Sequence, residues 1–316
     1  MAINNTMKRL LKSLSYDGIE VKSSRQLANL KGLDPLKIFR NTLDIKMETA
    51  DGHQIPVRVF FPEEVVTTEK ATGTTDLPVF LFLHGGGWVT ESVDTYERIC
   101  ARLAQETKHL VIAVEYRLAP EHPFPAGLMD CYCVAKALYS NEFFLRINPD
   151  KITVIGDSAG GNLTAALSLM ARDKGEFTVA RQILIYPAVY NDYSARSPYL
   201  SVQENGSDYL LTAGKIEDYM DLYQSKPEDR KNPYFAPLLE TDLTRQPDTL
   251  ILTAEFDPLR DEGEDYGKRL AEAGNQVEVH RIKDALHGYF ALGIKYLHVQ
   301  ESIDIINHFM QEYADE

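Results

Sequence analysis

Ser158 stands in the pentapeptide Gly156-Asp157-Ser158-Ala159-Gly160, between an apolar run at 151–155 and a small-residue run at 160–172. The pentapeptide alone says little, because three such fixed positions recur by chance in about one chain in ten of this length. The setting adds the chemistry. A strand, a sharp turn and a helix would lift the Ser158 hydroxyl clear of a sheet, exposed as a nucleophile. The Ala159 amide would then lie at a helix N-terminus, where free N–H groups face developing negative charge. A second glycine-bearing turn, His84-Gly85-Gly86-Gly87-Trp88, ends the apolar run 78–83. Its backbone can approach a ligand closely, and acyl transfer needs N–H donors converging on the oxyanion. Gly85, Gly86 and Ala159 are the expected donors. Either turn taken alone would also suit a surface loop.

A nucleophilic serine needs a base, and the base needs an orienting acid. The run 249–254 reads as a strand and is followed by Asp257-Pro258-Leu259-Arg260-Asp261-Glu262. A helix is expected at 262–273, with Gly274 as its C-cap. The run 276–282 alternates as a strand and leads to Ala285-Leu286-His287-Gly288-Tyr289. An acid and a histidine thus each follow a strand end, both after the serine. The order Ser158, Asp257, His287 is the chain order of α/β-hydrolases. His287 would take the Ser158 proton, and Asp257 would orient the ring while staying ionised. Glu255, Asp261 and Glu262 are rival acids; Asp257 is preferred because Pro258 turns the chain directly after it. His53, His109, His122, His280, His298 and His308 lack a nucleophile context. His84 is assigned to orienting the glycine loop and Asp157 to structural hydrogen bonds. Trp88 and Tyr186 flank the site as candidate pocket walls, although core packing would also account for them.

Taken together, five motifs carry a resemblance. They are His84-Gly85-Gly86-Gly87-Trp88, Tyr116-Arg117-Leu118-Ala119-Pro120-Glu121, Gly156-Asp157-Ser158-Ala159-Gly160-Gly161-Asn162, Asp257-Pro258-Leu259-Arg260-Asp261-Glu262 and His287-Gly288-Tyr289. In this order, over roughly 44–309, the chain resembles the hormone-sensitive-lipase-like family of α/β-hydrolases, of the bacterial carboxylesterase type. The resemblance implies a carboxylic ester hydrolase with Ser158, Asp257 and His287 as triad and Gly85, Gly86 and Ala159 as oxyanion donors. Tyr289 stands where that family often has Phe, a change that keeps an aromatic ring. Other serine hydrolases on the same fold stay open: a deacetylase, a lactonase, an amidase or peptidase. So does a small-molecule receptor, although receptors of this kind lose a triad member and here all three are present.

The elements that must position these residues follow the same pattern. An opening hairpin is expected at 44–48 and 54–61 around Asp51-Gly52, then strands at 78–83, 110–115, 151–155, 181–186, 249–254 and 276–282. Helices are expected near 95–107, 126–140, 160–172, 262–273 and 299–313. This alternation predicts an α/β fold: eight strands, mostly parallel, helices on both faces and an antiparallel edge. The core is assigned to 41–187 and 247–316. The long stretch 188–246, with a helical pattern at 212–223, is expected to form a cap insertion, joined by the N-terminal segment 1–40. Leu10, Leu11 and Leu14 give that segment a short apolar face, read as cap packing rather than a membrane anchor.

Composition narrows the partners. The chain has 316 residues, 44% of them apolar, enough for one sizeable core with a cap. It carries 47 acids against 33 bases, a net charge of −14. That argues against nucleic acid and against an anionic membrane surface. Cys100, Cys131 and Cys133 have no disulfide-framework or zinc spacing, and no phosphate loop is present. No cofactor and no metal are therefore expected; the partner is a small ester. The absence of a signal-like apolar run or a span of about 20 apolar residues points to a cytoplasmic protein without membrane insertion. The last strand and helix offer an edge for a homodimer.

Overall fold

The computed structural model describes residues 5–15, 17–31, 41–49, 52–62, 73–292 and 297–311. Eight strands form one sheet: β1 (Thr42–Glu48), β2 (Gln54–Phe60), β3 (Val79–Leu83), β4 (Leu110–Val114), β5 (Ile152–Asp157), β6 (Arg181–Ile185), β7 (Asp248–Phe256) and β8 (Val277–Leu286). Their order across the sheet is β1-β2-β4-β3-β5-β6-β7-β8. The hairpin β1–β2 and its junction with β4 are antiparallel, and all other neighbours run parallel. Asp51 of the expected hairpin turn lies outside the described residues, as do residues 63–72 and residues 32–40 of the N-terminal segment.

The central strands β3, β4 and β5 are buried along their whole length, which is why they read as unbroken apolar runs. Their side chains still alternate between faces. Leu81 and Leu83 pack with Leu128 and Leu163 on one side, under α4 (Ala126–Tyr139) and α5 (Ala159–Lys174). Phe80 and Phe82 pack with Ile99 and Ile303 on the other, under α3 (Val93–Thr107) and α9 (Leu297–Gln311). Ser92 caps α3 in a reciprocal capping box with Thr95, which starts that helix two residues before the expected position. Cys131 is buried within α4, a core residue.

The connection from β6 to β7 is long and carries the short helix α6 (Leu200–Asn205) and α7 (Ala213–Tyr223). Ahead of the sheet lie α1 (Asn5–Leu14) and α2 (Val21–Lys31). Of the three leucines of α1, only Leu11 is buried, against Tyr209 and Leu286; Leu10 and Leu14 are exposed. The N-terminal segment is tied to the 208–218 stretch by polar contacts. Lys12 pairs with Asp208 at 3.2 Å, the Leu210 N–H donates to Ser15 Oγ at 2.9 Å, and the Gly18 N–H donates to Asp218 at 2.9 Å. The helix α8 (Arg260–Glu272) follows β7 and covers the β7–β8 side of the sheet.

Candidate active site

Ser158 sits between β5 and α5 with φ 54 and ψ −118, a backbone state that L-residues rarely hold. It is fixed there from both sides: the Ser158 N–H donates to Ile185 O at 2.8 Å, and its carbonyl accepts from Asn162 and Ala188. The turn is tight because α5 is pressed onto β3. A Cβ on Gly160 would lie 1.9 Å from the Leu83 carbonyl oxygen, so nothing larger than glycine fits.

His287, in the loop after β8, brings Nε2 to 2.9 Å from Ser158 Oγ. Its Nδ1 lies 2.7 Å from Asp257 Oδ2, in the loop after β7. The tautomer with the proton on Nδ1 satisfies both contacts, leaving Nε2 to accept from the serine hydroxyl. Asp257 is fully buried, and its other oxygen accepts the Leu259 N–H at 2.9 Å. The rival acids are engaged elsewhere. Glu255 accepts the Asp284 N–H, Asp261 accepts the Ser201 N–H, and Glu262 turns to the 188–193 stretch. There its Oε1 accepts from the Val189 and Tyr190 amides and the Tyr193 hydroxyl. Burial pushes the Glu262 carboxyl up to about 8, even against those three donors.

The glycine loop after β3 requires one correction. The Gly85 N–H, expected to face an oxyanion, instead donates to Asp157 Oδ1 at 2.9 Å. Asp157 is the physical reason: it is buried beside Ser158 and needs donors. It also accepts from Tyr96 Oη at 2.8 Å and Tyr186 Oη at 3.2 Å. Burial still raises its carboxyl to about 6. The next two glycines, Gly86 and Gly87, line the cavity over Ser158 together with Ala159. His84 lies behind the loop, its ring stacked on Tyr116 at 4.3 Å and its Nδ1 2.8 Å from Gly85 O.

The cavity over Ser158 measures about 570 Å³. The stretch 210–219 contributes Leu210, Leu211, Lys215, Ile216 and Tyr219 to its wall, and the start of α3 contributes Thr95 and Arg98. Trp88 reaches the cavity, but most of its ring is stacked on Tyr223 at 4.4 Å in the core. Tyr186 is not part of the wall, which corrects the second expectation. Its ring is buried behind the site, 4.8 Å from the His287 ring, and its hydroxyl oxygen accepts the Phe290 N–H. A φ of +35 at the end of β6 turns it that way. Tyr96, Gly87 and Tyr219 escaped the sequence reading. Only Gly87 carried a signal, as the third glycine of its run.

A sharp strand–turn–helix serine, a histidine and an acid at successive strand ends, on this sheet order, define an α/β-hydrolase. The chain belongs to that family: the model of the alpha/beta hydrolase fold matches residues 80–291. Among curated relatives, an ethyl acetate hydrolase of Pseudomonas putida is 35% identical over 85% of this chain and 82% of its own length. An arylesterase of Saccharolobus solfataricus is 34% identical over 87% of this chain and 84% of its own. Among solved structures, a hyperthermophilic esterase from the archaeon Pyrobaculum calidifontis superposes with a TM-score of 0.86 at 35% identity, covering 99% of both chains. No helix among the described residues is long and apolar enough to cross a membrane.

Proposed function

We propose that the carboxylic ester hydrolysis carried out by this chain runs through Ser158, with His287 as base and Asp257 as orienting acid. The observation that carries the reading is the unbroken line Ser158 Oγ–His287 Nε2–Asp257, at 2.9 and 2.7 Å. Ser158 Oγ attacks the ester carbonyl carbon while His287 Nε2 accepts its proton. The carbonyl π electrons move onto oxygen, and the oxyanion is held by the N–H groups of Gly86, Gly87 and Ala159. Each such donor contributes roughly 3 kcal/mol to the transition state. His287 then protonates the leaving alcohol oxygen as the C–O bond breaks, leaving an acyl-serine. A water gives a proton to His287 Nε2 and attacks the acyl carbon; the acyl C–Oγ bond then breaks, His287 returns the proton to Ser158 Oγ, and the acid departs. Asp257 stays ionised throughout and stabilises the imidazolium.

The insertion 188–246, together with α1 and α2, acts as the cap of this site and keeps bulk water from the acyl-enzyme. The apolar wall that it contributes suits short to medium acyl chains. Hydrolysis of p-nitrophenyl esters from acetate to palmitate, with wild type and Ser158→Ala in parallel, tests the reading. Turnover should favour chains up to about eight carbons, and the variant should lose several orders of magnitude in kcat. Near-normal turnover by Ser158→Ala would overturn the nucleophile assignment.

A further inference from the structure

Tyr219 belongs to neither the sheet nor the triad, yet its ring lies directly on the oxyanion loop. A Cβ built on Gly87 would stand 2.4, 2.5 and 2.7 Å from Tyr219 Cδ1, Cγ and Cδ2. Ring and loop are therefore in contact with no room for one more atom between them. The helix that carries the ring is anchored in the core. Ile216, Met220 and Tyr223 form the buried face of α7, and Tyr223 is stacked on Trp88 at 4.4 Å. Trp88 is the residue after Gly87, so α7 is clamped to the same loop that its Tyr219 covers. Tyr219 itself is half-buried and shares the cavity with Ser158 and His287.

We propose that Tyr219 is a specificity-determining residue, the wall that limits how long an acyl chain the site accepts. The inference rests on the serine-esterase reading. An ester carbonyl bound with its oxygen at Gly86 and Gly87 has its leaving oxygen facing His287, which must protonate it. The acyl chain takes the remaining apolar lining, to which α7 contributes Ile216 and Tyr219. It cannot pass between the ring and the loop, so it runs along the ring face, and the ring edge sets where it must stop. Removing the ring opens space beside the acyl carbons; enlarging it closes that space.

The test is the ratio of kcat/KM for p-nitrophenyl octanoate to that for p-nitrophenyl acetate. Tyr219→Ala should raise the ratio about tenfold, the scale on which a hydrophobic pocket discriminates by chain size. Tyr219→Trp should lower it by a similar factor, and Tyr219→Phe should return it to the wild-type value. A ratio unchanged within about twofold in the Ala and Trp variants overturns the inference. Should the Ala variant fail to fold, the Trp variant decides alone. Ser158→Ala is run beside them. If it stays active, the esterase mechanism itself fails; if it is dead and the ratios do not move, only the role of Tyr219 fails.

Discussion

Ser158 holds φ 54 and ψ −118, and a serine in that region stores roughly 1–3 kcal/mol of backbone strain. The strain exposes Oγ to His287 and lowers the stability of the fold. Ser158→Gly should therefore abolish ester turnover while raising unfolding stability by about 1 kcal/mol, read by urea denaturation. A less stable glycine variant would mean that the turn is not strained. Glu262 gives a second prediction. Folded, its carboxyl keeps a proton up to about 8; unfolded, it releases it near its ordinary 4.5. The folded state binds more protons in that window, so this contribution is complete below 4.5 and is lost as pH rises through 8. Asp157 acts with the same sign, but only up to about 6. Between pH 6 and 8, Glu262→Gln should therefore fall less in stability than wild type, because glutamine mimics the neutral acid. Parallel slopes in urea titrations of the two proteins would contradict this. That Ser158, Asp257 and His287 converge was legible because each follows a strand end. The task of the Gly85 N–H was not: Asp157 claims it, and a buried acid beside Ser158 shows its partners only once folded.

The elements that were easiest to read are those whose burial is uniform. β3, β4 and β5 appear as apolar runs because both faces are covered, and the alternating β8 lies at an edge with one face open. The contacts between elements were not legible, and two of them yield predictions. Gly160 lets α5 approach β3, and its Cβ would meet the Leu83 backbone at 1.9 Å, where no rotamer change can help. Gly160→Ala should fail to give folded protein, checked by near-UV circular dichroism of whatever is recovered. The second contact is Arg25 of α2. Its guanidinium donates to Val89 O at 2.9 Å and Ala119 O at 2.8 Å, and grips both oxygens of Glu121. Val89 lies two residues beyond Gly87, so α2 is fastened to the backbone that continues the glycine loop after β3. The Glu121 half of this contact is exposed and contributes under about 1 kcal/mol. The two carbonyl contacts dominate, at about 1.5–3 kcal/mol for charged donors. Arg25→Met should thus lower stability by about 2 kcal/mol, and Glu121→Gln by much less. Equal losses in the two variants would mean that the ion pair, not the carbonyl contacts, holds α2. Nothing in a lone arginine at position 25 signals this, because its partners lie in two loops that the fold alone brings together.

At the scale of the whole molecule, the net charge of −14 sets a field that an approaching substrate meets before it meets any side chain. The cavity lining is locally more balanced, with Arg98 and Lys215 against Glu91 and Asp157. The two scales make opposite demands on an anionic ester. The global field repels it and is screened over about 10 Å at 0.1 M salt, whereas groups at the cavity act within that distance. For an ester carrying a carboxylate far from its carbonyl, kcat/KM should therefore rise as salt is raised from about 10 to 150 mM, as the global repulsion is screened first. A neutral ester of the same length should show no such slope, which removes any salt effect on the chemical step itself. The comparison is decided by sign. A rate on the anionic ester that falls with salt would mean that the two basic residues of the cavity, not the acidic surface, govern the approach of substrate. The variant to make would then be Lys215→Gln, in which that falling slope should flatten.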